Sequence, residues 1–132
     1  MNYKIAAVTN NKKDLSKHFG KSKFFAIYHI DDGKIVEIEF RDLPEHTIST
    51  SKSPIQLGII DKSISSNLDH HANLLEMIRD CKAVISGGMG QGMNDRLKKA
   101  NIETYLTKIK NIDEAVQAYI ARTLINDNEL IH

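Results

Sequence analysis

The sequence predicts an α/β fold, and three observations carry that prediction. Apolar runs at Tyr3–Thr9, Lys82–Ser86 and Ile102–Thr107 have the length of strands rather than of helices. An Asp32-Gly33 pair separates two β-rich runs, the local signature of a hairpin. Apolar residues at helical spacing then alternate with the later strands, the pattern of strand–helix–strand units with parallel strands.

Each element has its own reason. "YKIAAVT" is free of charge apart from Lys4 and stops at Asn10 and Asn11, as suits a strand covered on both faces. The stretch "NKKDLSKHFGKSK" is too broken by lysine and glycine for a helix and reads as a connection. "FFAIYHIDDGKIVEIEF" follows as two strands. In its second arm Val36, Ile38 and Phe40 alternate with Glu37 and Glu39, which predicts one buried and one charged face on an edge strand. Residues 44–68 hold both prolines and carry no period of 2 or 3.6, so they read as a long loop. From Asp69 the spacing turns helical, with Leu74, Leu75 and Ile78 as a stripe. A short helix follows the glycines and ends in basic residues and Asn101. The last helix opens at Asn111 with Glu114 three residues on, a capping-box spacing. Residues 126–132 read as a loose tail, and no repeat or second domain is evident, so 1–132 is expected to form a single domain.

Composition narrows the function. With 18 basic and 17 acidic residues in 132, the chain has no charge footprint for nucleic acid or an anionic membrane. No apolar run is long enough to span a bilayer. The single cysteine, Cys81, excludes an internal disulfide and a CxxC motif, and the expected location is cytoplasmic.

Counting strand directions gathers several features at one end. If the first strand points up, the hairpin runs down and up, and the first helix starts at the top. The strand Lys82–Ser86 then rises into "SGGMGQG", where four of the seven glycines, Gly87, Gly88, Gly90 and Gly92, fall within six positions. The ends of strands in open α/β sheets are where ligands bind. His18, His46, His70 and His71 are all placed at that end, while Cys81 belongs to the other. The glycine loop feeds a helix N-terminus, which favours an anion. Imidazoles beside such amides suit a negatively charged, metal-containing ligand. His71 also sits in register with Leu74, Leu75 and Ile78, so packing against the sheet is its alternative role. Met89 and Met93 are compatible with a soft-ligand pocket or with packing.

Sharper motifs are absent. A GxGxxG fingerprint starting at Gly88 would need glycine where Met93 stands, and no glycine precedes a Lys-Ser/Thr pair. The first strand has no carboxylate for a metal-dependent nuclease, and no Ser or Cys sits in a nucleophile elbow. The expectation is a protein that is not an enzyme.

The stretches "HFGKSKFFAIYHIDDGKIVEIEF" and "LLEMIRDCKAVISGGMGQGMNDRLKKANIETYLT" resemble the dinitrogenase iron–molybdenum cofactor biosynthesis family, over nearly the whole chain outside residues 44–68. The resemblance implies a ribonuclease-H-like three-layer fold, a mixed five-stranded sheet with helices on both faces. It implies binding and delivery of an iron–sulfur or molybdenum–iron–sulfur cluster, in company with a cluster-donating or cluster-accepting protein. It places the cluster-binding residues at His18, Phe19, Gly20, Gly87, Gly88, Met89, Gly90 and Gly92. Together with the placement argument, it leaves His18 and one of His70 and His71 as metal ligands.

Two other classes fit the same residues. One is a binding module for a phosphorylated small molecule, held by the glycine loop without the histidines. The other is a mononuclear zinc hydrolase built from His18, His46, His70 and His71, against which no acidic residue is obviously placed as a base, Glu45 beside His46 being the nearest candidate.

Overall fold

The computed structural model describes residues 2–43 and 73–131. The expected long loop, the first turn of the helix expected from Asp69, and the residues Glu45, His46, His70 and His71 lie outside the described residues. Within them, β1 (Asn2–Thr9), β2 (Phe24–Asp31), β3 (Lys34–Asp42), β4 (Ala83–Ser86) and β5 (Glu103–Leu106) form one mixed sheet in the order β3-β2-β1-β4-β5. β2 runs antiparallel to both β1 and β3, whereas β4 is parallel to β1 and β5 is parallel to β4. Helices α1 (Gln91–Lys99) and α2 (Ile112–Ile120) join a helical segment at residues 73–77 in covering the sheet.

The period of two along the strands divides the core into two layers. Ala6, Val8, Phe25, Ile27 and Val84 point to one face, where Leu74, Ile78, Met93 and Leu97 cover them. Ile5, Ala7, Ala26, Tyr28 and Ile85 point to the other, under Ile112, Ala115 and Val116 of α2. β1 is therefore buried on both sides from Ile5 to Thr9, which explains why its sequence carries no alternation. Asp32 and Gly33 both take positive φ, at 57° and 78°, the conformation that a two-residue hairpin turn with the right twist requires. Asn111 caps α2, its side chain accepting from the Glu114 amide at 3.0 Å. The Tyr28 hydroxyl donates to Asp113 and ties α2 to β2.

Two expectations need correction. The alternation in β3 runs from Glu37 to Asp42 and slips at Val36, and Val36, Ile38 and Phe40, expected to be buried, are all exposed. β3 lies at the sheet edge, and α2 covers the central strands without reaching those residues. The charged face is instead half covered by ion pairs. His29 Nε2 lies 2.6 Å from Glu39, and Arg41 bridges Glu39 and Asp80 at 3.1 Å each. The second correction is the tail. Asn126 accepts from the Leu106 amide at 2.9 Å, Asp127 donates to the Leu106 carbonyl at 2.8 Å, and Leu130 and Ile131 pack on the first core layer. A polar start hid an apolar anchor at the end of the chain.

Asp80 organises the end of the sheet opposite the glycines. It accepts from Lys4 at 2.8 Å and from Arg41 at 3.1 and 3.2 Å, and Arg41 also donates to the Met77 carbonyl. These hydrogen bonds, above all those from Arg41, hold its carboxyl well below its ordinary value. A depressed folded-state value means that the stabilisation is present above the unfolded value of 3.8 and is lost as pH falls below it. Asp80→Asn is expected to cost about 1 kcal/mol at neutral pH, because water screens a carboxylate this exposed. Urea unfolding from pH 7 down to pH 3 checks this: the gap between wild type and variant should close as the pH drops.

Candidate functional site

β1, β4 and β5 bring their C-terminal ends to one end of the sheet, and β2 starts there. The connection from β1 to β2 and the glycine loop after β4 meet at that end as two backbones in contact. Gly87 N–H donates to the Ser16 carbonyl at 2.8 Å, and Phe19 N–H donates to the Gly88 carbonyl at 3.2 Å. Residues 17 and 18 span the gap between these bonds, so the exposed His18 is fixed beside the glycine loop. Serines shape both backbones. Ser16 Oγ accepts from the His18 amide at 3.1 Å, and Ser22 Oγ donates to the His18 carbonyl at 2.6 Å. Across the contact, the buried Ser86 donates to the Gly88 carbonyl at 2.6 Å and accepts from the Gly88 amide at 3.2 Å.

The four glycines fall into two pairs with different work. At Gly87 a Cβ would stand 2.8 Å from the Ser16 carbonyl oxygen and 3.3 Å from Lys17 Cα, so the backbones meet only because no side chain intervenes. The amides of Gly87, Gly88 and Met89 are all spent internally, the last on the Leu130 carbonyl at 3.3 Å. The open part of the loop begins at Gly90, the N-cap of α1, where no side chain caps the helix. At Gly92, in the first turn of α1, a Cβ would meet nothing within 4 Å. The first-turn amides of α1 and the positive end of its dipole therefore face outward beside an exposed imidazole.

Other expected site residues sit elsewhere. Phe19 and Met89 are core residues, buried in the first layer, and Phe19 packs on Phe25 with ring centroids 5.5 Å apart. The expectation that their side chains contact a ligand is corrected: they support the two loops from behind. Met93 is buried as well. Gly20 lies in the short helical turn Phe19–Lys21 next to His18. His70 and His71 lie outside the described residues, so the pairing of His18 with either stays a proposal. Among the described residues no group of three or more His, Cys, Asp or Glu is arranged to hold a metal ion. Cys81 is buried at the far end of the sheet, where burial pushes its thiol up to about 12. The sequence reading missed Ser16, Ser22, Ser86 and Leu130. A serine closing an apolar run before a glycine pair was the available signal for Ser86.

The likenesses to known proteins concern this whole arrangement. The model of the dinitrogenase iron–molybdenum cofactor family matches residues 1–122, and the chain belongs to that family. A curated relative, the FeMo cofactor biosynthesis protein NifB of Frankia alni, is 25% identical over 123 residues, which cover 93% of this chain and 22% of that protein. The chain thus spans about a fifth of that relative's length. The crystal structure of a putative dinitrogenase from Methanocaldococcus jannaschii has the same fold at a TM-score of 0.64 and 20% identity, covering 96% of each chain. The apo orange protein of Desulfovibrio gigas matches at a TM-score of 0.61 and 15% identity, over 95% of this chain and 92% of its own. Among the described residues no helix is long and apolar enough to cross a membrane.

The division of the glycines gives a direct test. Gly87→Ala should destabilise the protein by about 2 kcal/mol, because backbone must move to admit the methyl group. Gly92→Ala should be neutral or stabilise by up to about 1 kcal/mol, since alanine suits a helix and space is open. Thermal and urea unfolding of the two variants side by side measure both effects.

Proposed function

We propose that this chain binds an iron–sulfur or molybdenum–iron–sulfur cluster as cargo at the end of the sheet bearing His18 and the glycine loop, and delivers it without catalysing a reaction. The observation that carries the reading is the uncapped start of α1 at Gly90 beside the exposed His18. A polynuclear metal–sulfur cluster is an anion overall, so outward amides and a helix dipole attract it, and an imidazole supplies one metal ligand. Membership of the family and the likeness to the Frankia alni FeMo cofactor biosynthesis protein support the same cargo. The thiol is far away and held protonated, so the binding set we propose is His18, Gly20, Gly90 and Gly92, with His70 or His71 as a second ligand. Few ligands on an exposed surface let the cargo leave again, which delivery to an accepting protein requires. In the same reading the chain is a single non-enzymatic domain of ribonuclease-H-like architecture. The strand order with β2 as the one reversed strand supports that architecture.

An anaerobic titration with a soluble molybdenum–iron–sulfur cluster, followed by visible absorption, tests the proposal. Saturation near one cluster per chain is expected, with binding at least about tenfold weaker in His18→Ala. Equal binding by both proteins removes His18 from the site, and no binding by either overturns the cargo. Inorganic phosphate bound equally by wild type and His18→Ala, with no cluster uptake, would instead establish the phosphorylated-ligand module.

A further inference from the structure

A cavity of about 440 Å³ lies at the end of the sheet opposite the glycine loop, on the side covered by α2. The hairpin turn at Asp32-Gly33, the starts of β1, β4 and β5, and the chain leaving α2 surround it. That volume falls within the range of small-molecule sites. Three of the four tyrosines of the chain, Tyr3, Tyr105 and Tyr119, line it, each half-buried. Their rings meet at angles. The Tyr119 centroid is 6.1 Å from that of Tyr3 at 60°, and 5.4 Å from that of Tyr105 at 85°. In edge-to-face contacts a ring gives only its edge to its neighbour, so ring face is left over for a flat guest.

The polar groups of the wall sort by charge. Tyr119 donates to Glu103 Oε1 at 3.1 Å and Tyr105, more loosely, to the same oxygen at 3.5 Å. Among the described residues no donor is bonded to the other oxygen, Oε2, of this exposed carboxylate. The Lys82 ammonium lies 4.8 Å from the Tyr3 ring centroid, and the charge of Arg122 acts on the Tyr105 phenol. Carboxylates line the same cavity, yet among the described residues neither cation has one within ion-pairing distance. Arg122 also holds a left-handed backbone, φ 62°, where its amide closes α2 on the Tyr119 carbonyl at 3.0 Å. Glycine is the usual residue at such a cap.

Two cations disfavour a cationic guest, and a bare anion would leave the rings unused. We propose that this cavity binds a nucleoside monophosphate, its base against the tyrosine rings, its phosphate held by Lys82 and Arg122, and its ribose hydroxyls donating to Glu103. The site lies away from His18 and the glycine loop, so it stands independently of cluster carriage.

Tyrosine fluorescence tests this, because the chain has no tryptophan and three of its four tyrosines line the cavity. Adenosine monophosphate should quench the emission saturably, at one molecule per chain. Adenosine and inorganic phosphate each offer one part of the ligand and should bind at least about tenfold more weakly. Lys82→Gln and Arg122→Gln should each weaken the nucleotide about fivefold and leave adenosine binding and the melting temperature unchanged, since both side chains are exposed. No saturable quenching at millimolar nucleotide overturns the proposal, as does a nucleotide bound no more tightly than adenosine or phosphate. Nucleotide binding that both variants retain, with amide shifts confined to residues 87–92, would place the ligand at the glycine loop and overturns it too.

Discussion

Two carbonyl–amide bonds between residues 16–19 and 87–88 hold the glycine-loop end of the sheet together, and they exist because Gly87 lacks a side chain. Strands β1 and β4 are hydrogen-bonded neighbours, so their C-terminal loops leave the sheet about 5 Å apart and must either diverge or be stitched. Stitching fixes the backbone of His18 beside the glycine loop. It takes the Gly87 amide, while Ser86 takes that of Gly88 and the Leu130 carbonyl that of Met89, which leaves the start of α1 as the place where donors remain outward. Rigidity and availability are thus divided along six residues.

The fold was legible where local chemistry decides conformation. Asp32-Gly33 announced a turn that needs positive φ twice, Asn111 announced a cap, and the charge-free first strand announced burial on both faces. Strand directions then followed from connectivity alone, and with them the meeting of His18 and the glycines. What failed was information that sequence period does not contain. Alternation in β3 fixes that two faces differ, but which face is covered depends on where α2 lies, a tertiary fact. Phe19 and Met89 stand beside glycines in sequence and point into the core, because a loop residue's direction is set by its backbone bonds and not by its neighbours' identity. Leu130 and Ile131 escaped notice for want of a period, being a two-residue anchor on an otherwise polar segment.

The two ends of the sheet are built on opposite electrostatic plans. Around Asp80, Lys4 and Arg41 satisfy the carboxylate with charged hydrogen bonds that also tie β1, β3 and the turn before β4. Cys81 lies against this network, and its burial and Asp80 both oppose formation of a thiolate. The sulfur is thus kept protonated, at the end of the sheet remote from the glycine loop.

The Met89 amide bonded to the Leu130 carbonyl has a bearing on the order of events as the polypeptide emerges from the ribosome. The β2–β3 hairpin and its pairing with β1 need nothing beyond residue 42 and are available early, whereas β4 and α1 come much later. Even then the floor of the glycine loop is incomplete until residues 130 and 131 have been made and have left the exit tunnel. Domains generally fold as units during synthesis. Here the segment that completes the end of the sheet bearing His18 is synthesised after every strand of that sheet.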